Sequence, residues 1–151
     1  KSKGIYEIDK LILAKKADCF VAGFSSEKET AHAMANFFEI YSYLLDPHTA
    51  VAMDVYNNYL INTGDMTPTV VVSTASPYKF PQDVYKAVMN SEIDDPFRAA
   101  KKLKFISAQE IPEDFIKLEK AAVRFDDVYE VEDIKEAVIA NIRKRNIRNN
   151  K

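Results

Sequence analysis

The 151 residues predict an α/β protein: a small, mostly parallel sheet flanked by several amphipathic helices. Three observations predict it. Residues 69–73 read Thr-Val-Val-Val-Ser, an apolar run without alternation, as in a parallel strand buried on both faces. Well-capped helical segments stand on both sides of that run, in the alternating order of a layered fold. The chain is 47% hydrophobic with nine Phe and eight Tyr, enough for a core of substantial buried area. At this length one domain is the expectation, with residues 1–151 as a single compact unit.

Taken in order, residues 4–8 (Gly-Ile-Tyr-Glu-Ile) read as a short strand, and Asp9 is placed to cap a helix at 10–17. The apolar run 19–22 has no periodicity that assigns it. Ser26 and Glu29 have capping-box spacing. Met34, Phe37, Phe38, Tyr41 and Leu45 then recur at helical spacing, giving a helix with a wide apolar face that ends before Asp46. Asp46-Pro47 suits an N-cap followed by a first helical residue, whose missing N–H is no loss. The helix it opens carries Val51, Val55 and Tyr59 inward and closes at 62–65, where Gly64 is the natural left-handed cap. Beyond the strand at 69–73, a helix begins near Pro81 with Val84, Tyr85 and Val88. Asp95-Pro96 and Ile111-Pro112-Glu113 open two more. Residues 128–131 read as a last strand before a helix at 132–145, with Ile134, Val138 and Ile142 on one face. Acids crowd the start of that helix and bases its end, as the helix dipole favours.

Composition excludes several functions. A formal net charge of −2 argues against nucleic-acid binding driven by bulk charge, and the basic run 143–148 reads as a frayed helix end without aromatic partners. No apolar run approaches membrane-spanning length, and residues 1–20 carry no signal-peptide pattern. The lone Cys19 forms no internal disulfide, fits a reducing, cytoplasmic setting, and reads as a small buried hydrophobe. Two histidines and one cysteine supply no zinc ligand set. There are three glycines, where average usage of roughly 7% would give about ten. Gly4, Gly23 and Gly64 are far apart, so no glycine-rich loop can cradle a phosphate.

Chemistry concentrates in two places. Residues 73–80, Ser-Thr-Ala-Ser-Pro-Tyr-Lys-Phe, lie just past the carboxyl end of the expected buried strand, the edge where open α/β sheets bind ligands. An ordinary connection whose hydroxyls cap the next helix explains the same residues. Asp46-Pro47-His48-Thr49 puts His48 at a helix N-terminus, where exposed N–H groups can receive an anion; a plain cap with a surface histidine is the alternative. His32 reads as a boundary residue of its helix. The acid pairs 94–95 and 126–127 read as caps or solvated loops.

These segments carry a resemblance. Residues 73–80, preceded by Asp-Pro-His-Thr-Ala-Val-Ala at 46–52, resemble the C-terminal part of threonine synthases, which show Thr-Ala-(His or Ser)-Pro-x-Lys-Phe after a buried strand and Asp/Glu-Pro-His-x-Ala one helix upstream. Ala22-Gly23-Phe24-Ser25-Ser26 matches a third family segment, and the order and approximate spacing agree from about residue 4 to 140.

The resemblance implies part of a fold-type-II enzyme dependent on pyridoxal phosphate, a carbon–oxygen lyase of threonine biosynthesis. Its substrate would be O-phospho-L-homoserine, converted with water to L-threonine and phosphate. The protein's task there is to orient the cofactor and tune its ring nitrogen. By motif position, the neutral hydroxyl that meets that nitrogen is Thr74, with Ser73 and Ala75 as adjacent cofactor-binding candidates. Lys79 and His48 are substrate-side candidates without an assigned role. The family's Schiff-base lysine lies in a Ser-Phe-Lys-Asp-like segment that this sequence does not contain, so no catalytic residue is expected here. The chain, opening on Lys1, is expected to be a C-terminal piece, inactive and without bound cofactor when alone. Its partner would be the N-terminal part of the same polypeptide, or a second copy in a homodimer. Two other readings stand beside this one: another fold-type-II lyase of threonine dehydratase type, against which the Pro-x-Lys-Phe ending speaks, and a non-catalytic α/β interaction module.

Overall fold

The structure, a computed structural model, describes residues 4, 7–17, 19–124 and 126–149. Among them the regular structure is all helical. The α-helices are α1 (Lys10–Ala17), α2 (Glu27–Tyr41), α3 (Pro47–Thr63), α4 (Pro81–Met89), α5 (Pro96–Ser107), α6 (Glu113–Glu119) and α7 (Ile134–Asn149). Single 3-10 turns occupy Pro77–Lys79 and Val131–Asp133. The chain divides into two units, Lys1–Glu119 and Lys120–Lys151, where the sequence reading expects one.

The helix boundaries follow from their caps. The Asp9 carboxylate accepts the Leu11 N–H at 2.7 Å at the head of α1. Ser26 and Glu29 close a reciprocal capping box on α2. Asp46 caps α3 with Pro47 in its first turn, and Gly64 ends that helix at φ 67°. Asp95 accepts the Arg98 N–H at 2.9 Å on α5. The helix reading differs at one end: α2 stops at Tyr41, where Ser42 turns left-handed at φ 53°, so Leu45 reaches the core from the connection rather than from the helix face.

The α/β expectation is overturned. No strand is present among the described residues, and no sheet forms. Residues 69–73 are irregular, with Val70 87% and Val72 71% exposed, the opposite of burial on both faces. A strand satisfies its backbone only through a neighbour, and no described segment supplies one. Residues 128–131 are likewise irregular until the 3-10 turn, with Val128 exposed. Of the strand expected at 4–8, Gly4, Glu7 and Ile8 are not in a strand, while Ile5 and Tyr6 lie outside the described residues. Cys19 is exposed rather than buried.

In the first unit, α2 packs on both α3 and α4, and α4 packs on α5. Met34, Leu44, Leu45, Ala50, Tyr78, Val84, Ala100 and Leu103 are buried together between them, with Phe37, Phe38, Met53 and Phe80 packed around. The core thus fastens the start of α3 and the turn at Pro77–Lys79 to the same helical frame. In the second unit, Ile134, Val138 and Ile142 keep an apolar stripe of α7 exposed.

Candidate functional site

The N-terminus of α3 is built around a buried carboxylate. Asp46 is 1% exposed. Its Oδ1 accepts the backbone N–H groups of His48 at 3.0 Å and Thr49 at 3.4 Å, the usual work of an N-cap. The His48 ring stands beside the same oxygen, Nδ1 to Oδ1 3.2 Å, with its imidazole largely in solvent. The other oxygen, Oδ2, accepts the Thr49 hydroxyl. Thr49 is itself buried.

Thr49 then reaches the second motif. Its Oγ1 lies 3.2 Å from Ser73 Oγ, 24 residues away, and Ser73 Oγ lies 3.3 Å from the Ala75 carbonyl oxygen. A threonine hydroxyl has one proton, here given to Asp46, so toward Ser73 it acts as acceptor. Ser76 accepts the Tyr78 N–H at 3.2 Å and so caps the 3-10 turn, in keeping with the plainer reading of this loop as a capped connection. Pro77 and Tyr78 are buried. Burial raises the Tyr78 phenol above its ordinary pKa, and its hydroxyl donates to the Gln109 carbonyl at 2.5 Å.

The two sequence motifs therefore meet. Ser73 and Ala75 are tied to the head of α3, while Thr74 between them is exposed. His48 and Lys79 converge on one ring: the imidazole centroid is 5.2 Å from that of Phe80, and Lys79 Nζ is 5.4 Å from it. Both side chains are exposed. His32, exposed on α2, instead pairs with Asn36 at 3.0 Å.

The third motif also rests on α3. Ser25 donates to Asp54 at 2.5 Å. Gly23 lies so close to the helix that a Cβ there would stand 2.6 Å from Val55 Cγ1. Beside this contact, Val21, Val55, Tyr56, Tyr59 and residues 69–72 line an open, mostly apolar cleft of about 480 Å³. Its wall ends at Val72, two residues before Thr74.

Sequence reasoning quoted Thr49 in its motif without giving it a role, and missed Gln109. Thr49 sits at the third position after an aspartate cap, a spacing that brings its hydroxyl back to the cap carboxylate, so a signal existed. Gln109, whose side chain accepts the Leu44 N–H at 2.5 Å, had none. Among the described residues, no group of three or more His, Cys, Asp or Glu could hold a metal ion, and no helix is long and apolar enough to cross a membrane.

The described helices thus hold a hydroxyl-rich turn, ahead of α4, against the capped head of α3. Comparison with known proteins gives the chain a family. The family described as threonine synthase, C-terminal, matches residues 49–138, more than half of the chain, so this chain belongs to that family. Threonine synthase-like 1 of Macaca fascicularis is 34% identical over 95 residues, covering 63% of this chain and 12% of the relative. The Homo sapiens protein of that name is 33% identical over the same length. Threonine synthase of Saccharomyces cerevisiae is 27% identical over 128 residues, 74% of this chain and 25% of its own. The chain thus spans between an eighth and a quarter of the length of these relatives.

Proposed function

We propose that this chain forms one wall of the active site of a pyridoxal-phosphate-dependent threonine synthase, which converts O-phospho-L-homoserine and water to L-threonine and phosphate. The observation that carries the reading is the junction of the two motifs: Thr49 beside Ser73 holds the turn so that Thr74, at the family position for the ring-nitrogen contact, opens to solvent.

The donor set fits one edge of that cofactor. An exposed neutral hydroxyl suits an unprotonated or partly protonated pyridine nitrogen, to which it can donate. The remaining edges need a lysine and a phosphate cradle, and with three scattered glycines this chain offers no cradle. When bound, the cofactor supplies the electron sink for proton removal beside the amino group. Thr74 would donate to the ring nitrogen, and the Ser73 and Ala75 backbone would keep it in register. Lys79 and His48, both exposed and both near the Phe80 ring, are placed to meet a phosphorylated anion. The single cysteine supports a reducing, cytoplasmic setting.

The test is Thr74→Val in the complete polypeptide. Loss of a hydrogen bond made in the reacting state is expected to cut kcat by about 10²-fold with the fold intact. An unchanged kcat would favour the non-catalytic interaction module.

A further inference from the structure

Resting on that reading, we propose that Asp46 and Thr49 are positioning residues, a buried carboxylate–hydroxyl relay that fixes Ser73 and thereby aims Thr74. Capping α3 needs one carboxylate oxygen, and Oδ1 does all of it, taking the His48 and Thr49 amides. Oδ2 is left over. It is spent on the Thr49 hydroxyl, a bond that no cap requires. That bond orients the hydroxyl proton away from Ser73 and turns a lone pair toward it. Ser73 Oγ then has one proton to share between Thr49 Oγ1 at 3.2 Å and the Ala75 carbonyl at 3.3 Å, and by that shared bond it links the head of α3 to the backbone beyond Thr74. Asp46 is 1% and Thr49 5% exposed, so water does not compete for either partner. Thr74 itself is exposed, so its aim depends on its neighbours.

The relay separates from ordinary stabilisation by what each variant keeps. Thr49→Val keeps the shape and loses the hydroxyl; Thr49→Ser keeps the hydroxyl. In the complete, cofactor-loaded polypeptide, Thr49→Val should lower kcat by about tenfold with KM nearly unchanged, because small misplacements of a reacting partner are costly. It should also shift the cofactor's visible absorption and circular-dichroism bands, and Thr49→Ser should restore both kcat and the bands. Ser73→Ala, at an exposed site that does not endanger folding, should reproduce the Thr49→Val phenotype. Combining Thr49→Val with Thr74→Val should cost no more than Thr74→Val alone, since both act through one hydroxyl. Unaltered bands and kcat in Thr49→Val, or in Ser73→Ala should Thr49→Val not fold, would overturn the relay while leaving the functional reading intact, provided Thr74→Val is impaired. An unimpaired Thr74→Val would overturn the functional reading first, and the relay with it.

Discussion

The Tyr78 hydroxyl donates to the Gln109 carbonyl at 2.5 Å across 31 residues of chain, and the Gln109 side chain in turn accepts the Leu44 N–H at 2.5 Å. One residue between α5 and α6 thus ties the candidate turn to the connection entering α3. Both ends of the site hang on it.

Gln109→Ala is therefore expected to destabilise the fold by about 1–3 kcal/mol, because it leaves a buried backbone donor without its partner. Tyr78→Phe should cost about 1 kcal/mol. Its pH dependence has a definite sign. Burial raises the folded-state pKa of Tyr78 above 10.0, so its contribution is complete below that value and is lost as pH climbs through the raised one. Urea denaturation at neutral and strongly alkaline pH should show the Tyr78→Phe variant losing less stability on the alkaline limb than the parent.

Gly23→Ala tests the contact of the third motif with α3. A Cβ at 2.6 Å from Val55 Cγ1 meets a stiff β-branched side chain. Destabilisation of about 1–3 kcal/mol is expected from such overpacking. Val55→Ala should relieve it, so the double variant should melt above Gly23→Ala alone. Thermal unfolding of all three variants checks this.

Ser26→Ala should weaken the head of α2 by about 1 kcal/mol. Its partner Glu29 has a lowered pKa because the Ser26 hydroxyl and amide donate to it. A lowered carboxylate stabilises above its ordinary pKa of 4.5 and stops doing so as pH falls through the folded value. Glu29→Gln should accordingly flatten the acid limb of a helicity titration, and an unaltered limb would show that the capping box does not persist in solution.

Mixed with pyridoxal phosphate, the 151-residue chain alone should acquire no protein-bound visible absorption band after gel filtration. A band that co-elutes and disappears on borohydride reduction would show a Schiff-base lysine within this sequence.

Most of the helical frame could be read from residues that act locally. Ser26 with Glu29, Asp46 with Pro47, Asp95 with Pro96, and Gly64 each fix a boundary through bonds spanning a few residues, and such bonds form wherever the segment is placed. The three valines at 70–72 misled because strand preference is a preference for neighbours on both sides. Without a pairing segment among the described residues, they remain irregular and largely exposed. Cys19 was misjudged for a related reason: an apolar run signals burial only where something packs on it. At the site, the sequence motifs marked Thr74, His48 and Lys79, but the link between Thr49 and Ser73 depends on how α3 meets the turn, which no spacing encodes.

The central claim is that Thr74 faces the pyridine nitrogen of bound pyridoxal phosphate. A crystal structure of the complete, cofactor-loaded polypeptide measures it directly. The Thr74 Oγ1 to ring-nitrogen distance should be about 3 Å, within hydrogen-bonding range. A ring nitrogen met by a carboxylate or another side chain, with Thr74 turned elsewhere, would contradict the account.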